Sequence, residues 1–276
     1  MKRNYQNFIS RIRERLTISK RQQFVAVTLL LTLELIATQL FSGGLQWEVV
    51  AVLGFSAYVL SALVLRQELS GWEFITLLTL PTFYTIAVFL FYFLLPTRWL
   101  TRLPIVMLFA IGMYAILLTE NIYNVAAERN IQLLRAAHSV GFLLSLVTVF
   151  FLIDTILSLH LPFYVNSAIT LGIILPLTLQ ALWSLELTPF ISSKVWIGTL
   201  IISILISELV FVFSFWPIRI TIEALFITTV FYSLVGMTQQ YLIERLFPKT
   251  TREYITVLVL VFILVLTTTR WGVGQY

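Results

Sequence analysis

Two glutamates stand inside long apolar runs of the chain, where an ionisable side chain is costly. Glu34 lies in the run 23–41 and Glu208 lies in the run 195–216. A charged residue near the centre of a membrane helix costs about 3 kcal/mol on insertion scales, so it normally faces a partner or a water-filled cavity. Glu34 and Glu208 are therefore candidates for an intramembrane proton or cation relay, or for the site of a cationic substrate. The structural alternative is a buried carboxyl group that accepts a hydrogen bond from a nearby Ser, Thr, Gln or Tyr.

A second group of charged residues lies where apolar runs end on the predicted outer side. This candidate outer vestibule consists of Asp154, Glu223, Arg219 and Arg102. Arg219 and Glu223 are four residues apart, so they can pair along one side of a helix. The group indicates either ion pairs that tie helix ends together or a vestibule for a charged or sugar-like substrate.

The longest polar interruption after the first run covers residues 119–141. Its amide and charged residues recur at intervals of three or four, which places them on one side of a helix. We expect a cytoplasmic amphipathic helix over 120–136, on the inner surface of the membrane. It is either a binding surface, or the lining of an inner cavity, or a connector whose polar side is simply solvated. The candidate polar stripe consists of Asn121, Asn124, Glu128, Arg129, Gln132, Arg135 and His138.

Several well-defined chemical sites are missing from the sequence. There is no P-loop, no HExxH, no GxSxG and no EF-hand pattern. The chain has no cysteine and only two histidines, which excludes disulfides and thiol nucleophiles and makes a His-rich metal site improbable. The sequence therefore predicts neither a metal nor another cofactor, and it assigns no catalytic residue.

The elements that must position these residues are apolar helices. Hydrophobic residues make up 59% of the 276-residue chain and charged residues 11%, whereas soluble domains have about 45–50% and about 25%. The apolar residues come in runs near the length of about 20 that spans a bilayer. We expect an all-α, polytopic integral membrane helix bundle with about nine transmembrane helices. The predicted runs are 23–41, 47–65, 72–95, 103–119, 137–159, 162–184, 195–216, 219–242 and 254–270.

The charge distribution predicts the domain organisation and the orientation. Residues 1–22 form a basic cytoplasmic tail that can lie as a short helix on anionic lipids, and 23–276 form one transmembrane domain. Fourteen of the 18 Lys and Arg residues fall on one predicted side, which favours an N-in, C-out arrangement in the cell membrane. All seven tryptophans lie at or near predicted helix ends, as in an aromatic belt. The net charge of +5 thus reflects topology and contact with anionic lipids at the cytoplasmic face, and not binding to nucleic acid.

Three function classes remain open from the sequence. The first is a small proton- or cation-coupled transporter or permease-like protein, which rests on Glu34, Glu208 and helix breaks expected at Pro81 and Pro176. The second is a non-catalytic membrane subunit or scaffold. The third is a membrane enzyme that acts on a lipid-linked substrate through polar groups of the stripe: Glu128, Arg129, Arg135 and His138. The lack of a catalytic motif weighs against the third class.

Overall fold

The computed structural model describes residues 19–38, 47–65, 73–96, 98–125, 131–188 and 190–269, and all regular structure within them is helical. These residues form nine helices. The helices are α1 (Lys20–Ala37), α2 (Trp47–Leu65), α3 (Glu73–Leu94), α4 (Trp99–Val125), α5 (Ile131–Ser158), α6 (Phe163–Glu186), α7 (Ser193–Phe213), α8 (Ile220–Leu242) and α9 (Pro248–Thr268).

Eight of the nine described helices, α2 to α9, are long and apolar enough to cross a membrane. The chain is therefore a multi-pass membrane protein with an all-α fold, which confirms the predicted fold class. α1 differs because its 18 residues include Lys20, Arg21 and Glu34, which lower its hydropathy. A transmembrane position for α1 stays a prediction from the sequence.

Two central helices hold the bundle together. α3 packs against α2, α4, α5 and α6, and α5 packs against α3, α4, α6 and α8. At one side α1 covers α2 and α4, and at the other side α7 covers α6 and α8. α9 packs against α8 and buries only Val265 among its own residues. The deepest polar groups of the chain are therefore expected among α3 to α6 and α8.

Close contact between α3 and α4 depends on a glycine. The Tyr84 ring of α3 is fully buried and reaches over Gly112 of α4, where a Cβ atom would lie 2.1 Å from the Tyr84 hydroxyl oxygen. That hydroxyl donates to the Leu108 carbonyl at 2.8 Å, and its ring stacks on Phe109 with centroids 5.8 Å apart. A residue without a side chain lets the two backbones approach, as is common where helices pack in membranes.

The helices run alternately up and down, so the bundle has two polar ends. We call the end where α1 begins the proximal end and the opposite end the distal end. The proximal end holds the ends of α2, α4, α6 and α8, and hydrogen bonds from Asn124 to the Leu65 carbonyl and from Gln239 to the Ala181 carbonyl connect them. The sequence predicts that the proximal end faces the cytoplasm.

The segment 120–136, expected as an amphipathic helix, is divided between the end of one described helix and the start of the next. α4 continues to Val125 and α5 begins at Ile131, while residues 126–130 lie outside the described part. Within 119–125, Glu120 is fully buried and Tyr123 is 4% exposed, whereas Asn121 and Asn124 of the predicted stripe are half-buried. Helical spacing shows that polar residues share one side of a helix, but not what that side faces, so the surface position of this segment stays a prediction.

Three smaller predictions also change. α3 and α6 continue through Pro81 and Pro176 without a break, which neighbouring helices permit by supporting the interrupted backbone. Trp183 is 2% exposed and donates to the Thr188 carbonyl at 3.0 Å, so it belongs to the core and not to an aromatic belt. Residues 1–18 of the predicted basic tail lie outside the described part. Its last residues already form the first turn of α1, where Ser19 and Gln22 make a capping box.

Candidate functional site

A buried carboxyl group lies at the proximal end of the bundle. Glu120 belongs to the last two turns of α4 and is 0% exposed. Its Oε1 accepts a hydrogen bond of 3.0 Å from Nε2 of Gln180 on α6. Glu120 Oε2 and Gln180 Oε1 are both buried without a hydrogen-bond partner. Among the described residues Glu120 is the most fully buried acid, since Asp154 and Glu223 are each 6% exposed.

Polar contacts around Glu120 join four helices, and we call this set the proximal cluster: Glu120, Tyr123, His138, Gln180, Ser184 and Gln239. Tyr123 of α4 donates to the Ala137 carbonyl of α5 at 3.1 Å, and its ring lies 5.3 Å from the His138 ring. His138 Nε2 lies 2.7 Å from the Ser184 carbonyl oxygen of α6. The cluster thus fixes the side chains around Glu120 through contacts to backbone carbonyls.

The predicted cytoplasmic stripe divides between two helix ends. Asn121 and Asn124 are half-buried at the end of α4, and Asn124 Nδ2 donates to the Leu65 carbonyl at 3.2 Å. Gln132 lies in the first turn of α5, and Arg135 is exposed one turn further on. Glu128 and Arg129 lie outside the described residues. Among the stripe residues whose side chains the structure describes, His138 is the one that contributes to the proximal cluster.

The two glutamates that the sequence singled out do not form one site. Glu34 is half-buried near the distal end of α1, and its Oε2 accepts a hydrogen bond of 2.5 Å from Ser56 of α2. Glu208 lies on the exposed side of α7. α1 packs against α2 and α4, whereas α7 packs against α6 and α8. A relay that pairs Glu34 with Glu208 therefore has no support in the structure, and Glu34 matches the structural alternative of a bonded carboxyl group.

A pocket of about 660 Å³ opens at the distal end, where α5 ends, α6 begins, α7 ends and α8 begins. We call it the distal pocket. Two of its polar residues are almost fully buried: Asn166 is 5% exposed and Glu223 is 6% exposed. Asn166 Oδ1 and Glu223 Oε1 have no hydrogen-bond partner. The pocket rim carries Arg219, which is exposed.

The structure gathers most of the predicted outer vestibule but not all of it. Glu223 and Arg219 line the distal pocket. Asp154 lies on α5 one helical turn before the lining residue Leu157, and it interacts with the Thr221 side chain. No ion pair joins Arg219 to Glu223 within the described residues, although their spacing permits one. Arg102 lies elsewhere, with its guanidinium 4.7 Å from the centre of the Tyr92 ring. Arg219 and Glu223 thus line one pocket without pairing with each other.

Sequence reasoning missed Glu120, Gln180 and Asn166. Glu120 seemed to lie outside the membrane because the predicted run ended at residue 119, whereas the helix continues to Val125. Following the helical period of α4 past Thr119 would have shown that Glu120 shares a side with the buried Ile116 and Met113. Gln180 and Asn166 gave no signal, since amides in an apolar run are common hydrogen-bonding residues between membrane helices.

Comparison with known protein families places this chain in a family. The model of one protein family, described as protein of unknown function (DUF5656), matches residues 24–268. The chain belongs to the DUF5656 family. No curated protein and no solved structure matches it. The DUF5656 match extends from the first turns of α1 to the end of α9, so both the proximal cluster and the distal pocket lie inside the region that the family shares.

Proposed function

We propose that this chain is a proton-coupled membrane transporter in which Glu120 holds and releases the coupling proton and the distal pocket admits the substrate. The observation that carries the proposal is the Glu120 carboxyl group. It lies in the bundle interior with one neutral hydrogen-bond donor, and no described Lys or Arg forms an ion pair with it.

The chemistry of this carboxyl group favours proton exchange over a structural role. A glutamine at position 120 could accept the same bond from Gln180 without the cost of an ionisable group in an apolar interior. A carboxyl group, unlike an amide, can take up a proton on its free oxygen and give it back. Acids inside membrane bundles commonly serve as proton relays for this reason.

The two polar sites share the helices that carry them. α5, α6 and α8 each supply residues to the distal pocket and to the proximal cluster. Between the two sites, α6 carries Thr170 and Thr178, which are both fully buried with unpartnered hydroxyl oxygens. Ile174 lies between them at four-residue spacing and is also fully buried. The side of α6 between the two sites therefore carries two hydroxyl groups that are free to bind a proton carrier or water, with one apolar residue between them.

Flux measurements with the purified full chain test the proposal. Proteoliposomes that contain pyranine would be exposed to pools of amino acids and simple amines, and internal pH would be followed. We expect wild-type protein to give compound-dependent proton movement and Glu120→Gln to give less than about 10% of that rate, because Gln cannot exchange a proton. Glu208→Gln is the matched control, since it makes the same chemical change on the exposed side of α7. Equal flux in wild type and Glu120→Gln, or no flux with any pool, would overturn the proposal.

Infrared difference spectroscopy tests the same residue without a substrate. When pH is raised, the carboxyl C=O stretch of Glu120 should disappear from the wild-type spectrum as the group ionises. That change should be absent in Glu120→Gln and present in Glu208→Gln. A carboxyl band that persists in wild type at every pH where the protein stays folded would show that Glu120 does not exchange its proton.

A further inference from the structure

We infer that the distal pocket binds a small molecule that carries both an ammonium group and an anionic group, with Glu223 and Asn166 as acceptors for the ammonium and Arg219 as the partner of the anion. The inference deepens the proposed function by naming the class of substrate. It rests on that function only for the role of the pocket, because binding can be measured without transport.

The deep part of the pocket offers hydrogen-bond acceptors. Glu223 Oε1 on α8 and Asn166 Oδ1 on α6 are both unpartnered and both belong to side chains that are more than nine-tenths buried. The Asn166 amide nitrogen already donates to the Leu161 carbonyl at 3.3 Å, which leaves the oxygen for a ligand. Two acceptors from different helices suit an ammonium group, which has three N–H donors and no acceptor.

The position of Glu223 at the start of α8 does not by itself explain its burial or its unpartnered oxygen. An acid in the first turn of α8 is favoured by the partial positive charge at a helix N-terminus. That effect is available to an exposed side chain, so it explains neither the burial of Glu223 nor the orphaned oxygen. An unsatisfied buried acceptor costs about 1–3 kcal/mol, and a ligand donor in the pocket would remove that cost.

The pocket rim offers the complementary charge. Arg219 is the N-cap residue of α8, and its guanidinium makes no ion pair with Glu223, one helical turn away. Arginine binds carboxylate and phosphate groups in a bidentate manner, and the N-terminus of α8 adds partial positive charge. An anion on the ligand would therefore lie toward the rim, while the ammonium lies toward Glu223.

Aromatic side chains form the apolar wall. Phe213 and Trp216 are stacked with ring centroids 5.2 Å apart, and Phe163 completes the wall. The pocket volume of about 660 Å³ lies in the range of about 300–1,000 Å³ that holds small organic ligands. A pocket of this size with aromatic walls suits an organic ammonium compound with an apolar substituent and is too large for a bare inorganic cation.

The same pair of charges occurs on free zwitterions and on the headgroup of phosphatidylethanolamine. Calorimetry on the full chain in detergent separates the first source with three matched probes: phenylalanine carries both charges, phenethylamine only the ammonium and 3-phenylpropionate only the carboxylate. We expect phenylalanine to bind best and 3-phenylpropionate not to bind. Native mass spectrometry with phosphatidylethanolamine and phosphatidylglycerol tests the second source.

Variants assign each charge to its partner. Glu223→Gln should weaken phenylalanine and phenethylamine at least tenfold. Arg219→Gln should weaken phenylalanine about tenfold but leave phenethylamine unchanged; Arg219 is exposed, so this variant should fold even if Glu223→Gln does not. Glu208→Gln, on the exposed side of α7 and outside the pocket, should bind phenylalanine like wild type. Binding is measured in detergent without a proton gradient, so a binding failure is distinct from a failure of proton coupling.

Three results would decide the inference. Phosphatidylethanolamine retained by wild type and lost in Glu223→Gln, without binding of phenylalanine, would support the same charge recognition with a lipid as its source. Binding of 3-phenylpropionate as tight as that of phenylalanine would overturn the inference. Failure of wild type to bind any of the probes or phosphatidylethanolamine would overturn it as well.

Discussion

The hydrogen bond between Glu120 and Gln180 can be measured as a coupling energy. The perturbation is a double-mutant cycle with Glu120→Leu, Gln180→Leu and the double variant. Leucine is apolar and close in size to both residues, so each substitution removes one polar partner without opening a large cavity. The cycle asks whether the two side chains depend on each other in the bundle as the 3.0 Å contact implies.

The expected magnitude follows from the burial of both groups. Glu120 is 0% exposed and Gln180 is 3% exposed, so either single variant leaves a buried polar group without its partner, at about 1–3 kcal/mol. The double variant removes both groups and can be nearly neutral. The coupling is the sum of the two single costs minus the cost of the double variant, so we expect about 2–6 kcal/mol. This is above the average of about 0.6 kcal/mol for hydrogen bonds between membrane helices, because this bond is shielded from lipid and water.

Reversible unfolding in mixed micelles gives the free energies of unfolding. Intrinsic tryptophan fluorescence is a suitable probe, because one of the seven tryptophans, Trp183, is 2% exposed and lies one turn from Gln180 on α6. A second cycle between Glu120 and Asn166, at opposite ends of the bundle, serves as the control and should be additive within about 0.5 kcal/mol. A Glu120–Gln180 coupling no larger than that of the control would refute the buried contact on which the proposed function rests.

Other predictions concern the packing around the two sites. Gly112→Ala should lower the free energy of unfolding by about 1–3 kcal/mol, because its Cβ would overlap the Tyr84 side chain. Gly172→Ala has no atom within 4 Å of the new Cβ, so it should raise the free energy of unfolding by up to about 1 kcal/mol through higher helix propensity. Equal effects of the two variants in thermal unfolding would contradict this explanation. Gly236→Ala would place a Cβ 2.6 Å from the Tyr254 ring and so separate α9 from α8. We therefore expect a protease to cut the α8–α9 connection faster than in wild type. An unchanged cleavage rate would count against close packing of α8 on α9. Ser167 and Ser207 are hydrogen-bonded to each other, with their hydroxyl oxygens 2.8 Å apart. Ser167→Ala should therefore lower the free energy of unfolding in micelles by about 0.5–1.5 kcal/mol. No loss would show that this bond does not stabilise the packing of α6 on α7.

The helices themselves could be read from the sequence with little loss. Nine apolar runs correspond to nine described helices, because a segment that crosses hydrocarbon must be about 20 apolar residues long and must satisfy its own backbone. The vestibule at the distal end was also partly visible, since Glu223 and Arg219 had to lie near the start of α8. Their failure to pair was not visible, because spacing permits a pair without requiring one.

The depth of the polar residues was decided by the tertiary structure. In a soluble protein the polar side of a helix faces water, so the spacing of polar residues shows which side of the helix is exposed and which is buried. In a membrane bundle the lipid and the protein core are both apolar, and spacing alone does not tell the two sides apart. For this reason Glu34 and Glu208 seemed equivalent to each other and more deeply placed than Glu120.

What the sequence determined is that this chain is a membrane helix bundle with a few isolated charges inside its apolar runs and near their ends. What only the fold decided is which of those charges meet. Glu120 contacts Gln180 across 60 residues of chain, and Asn166 meets Glu223 in one pocket, because α5, α6 and α8 pack together. Such contacts between distant helices depend on shape and rotation about each helix axis, for which an apolar run carries almost no signal.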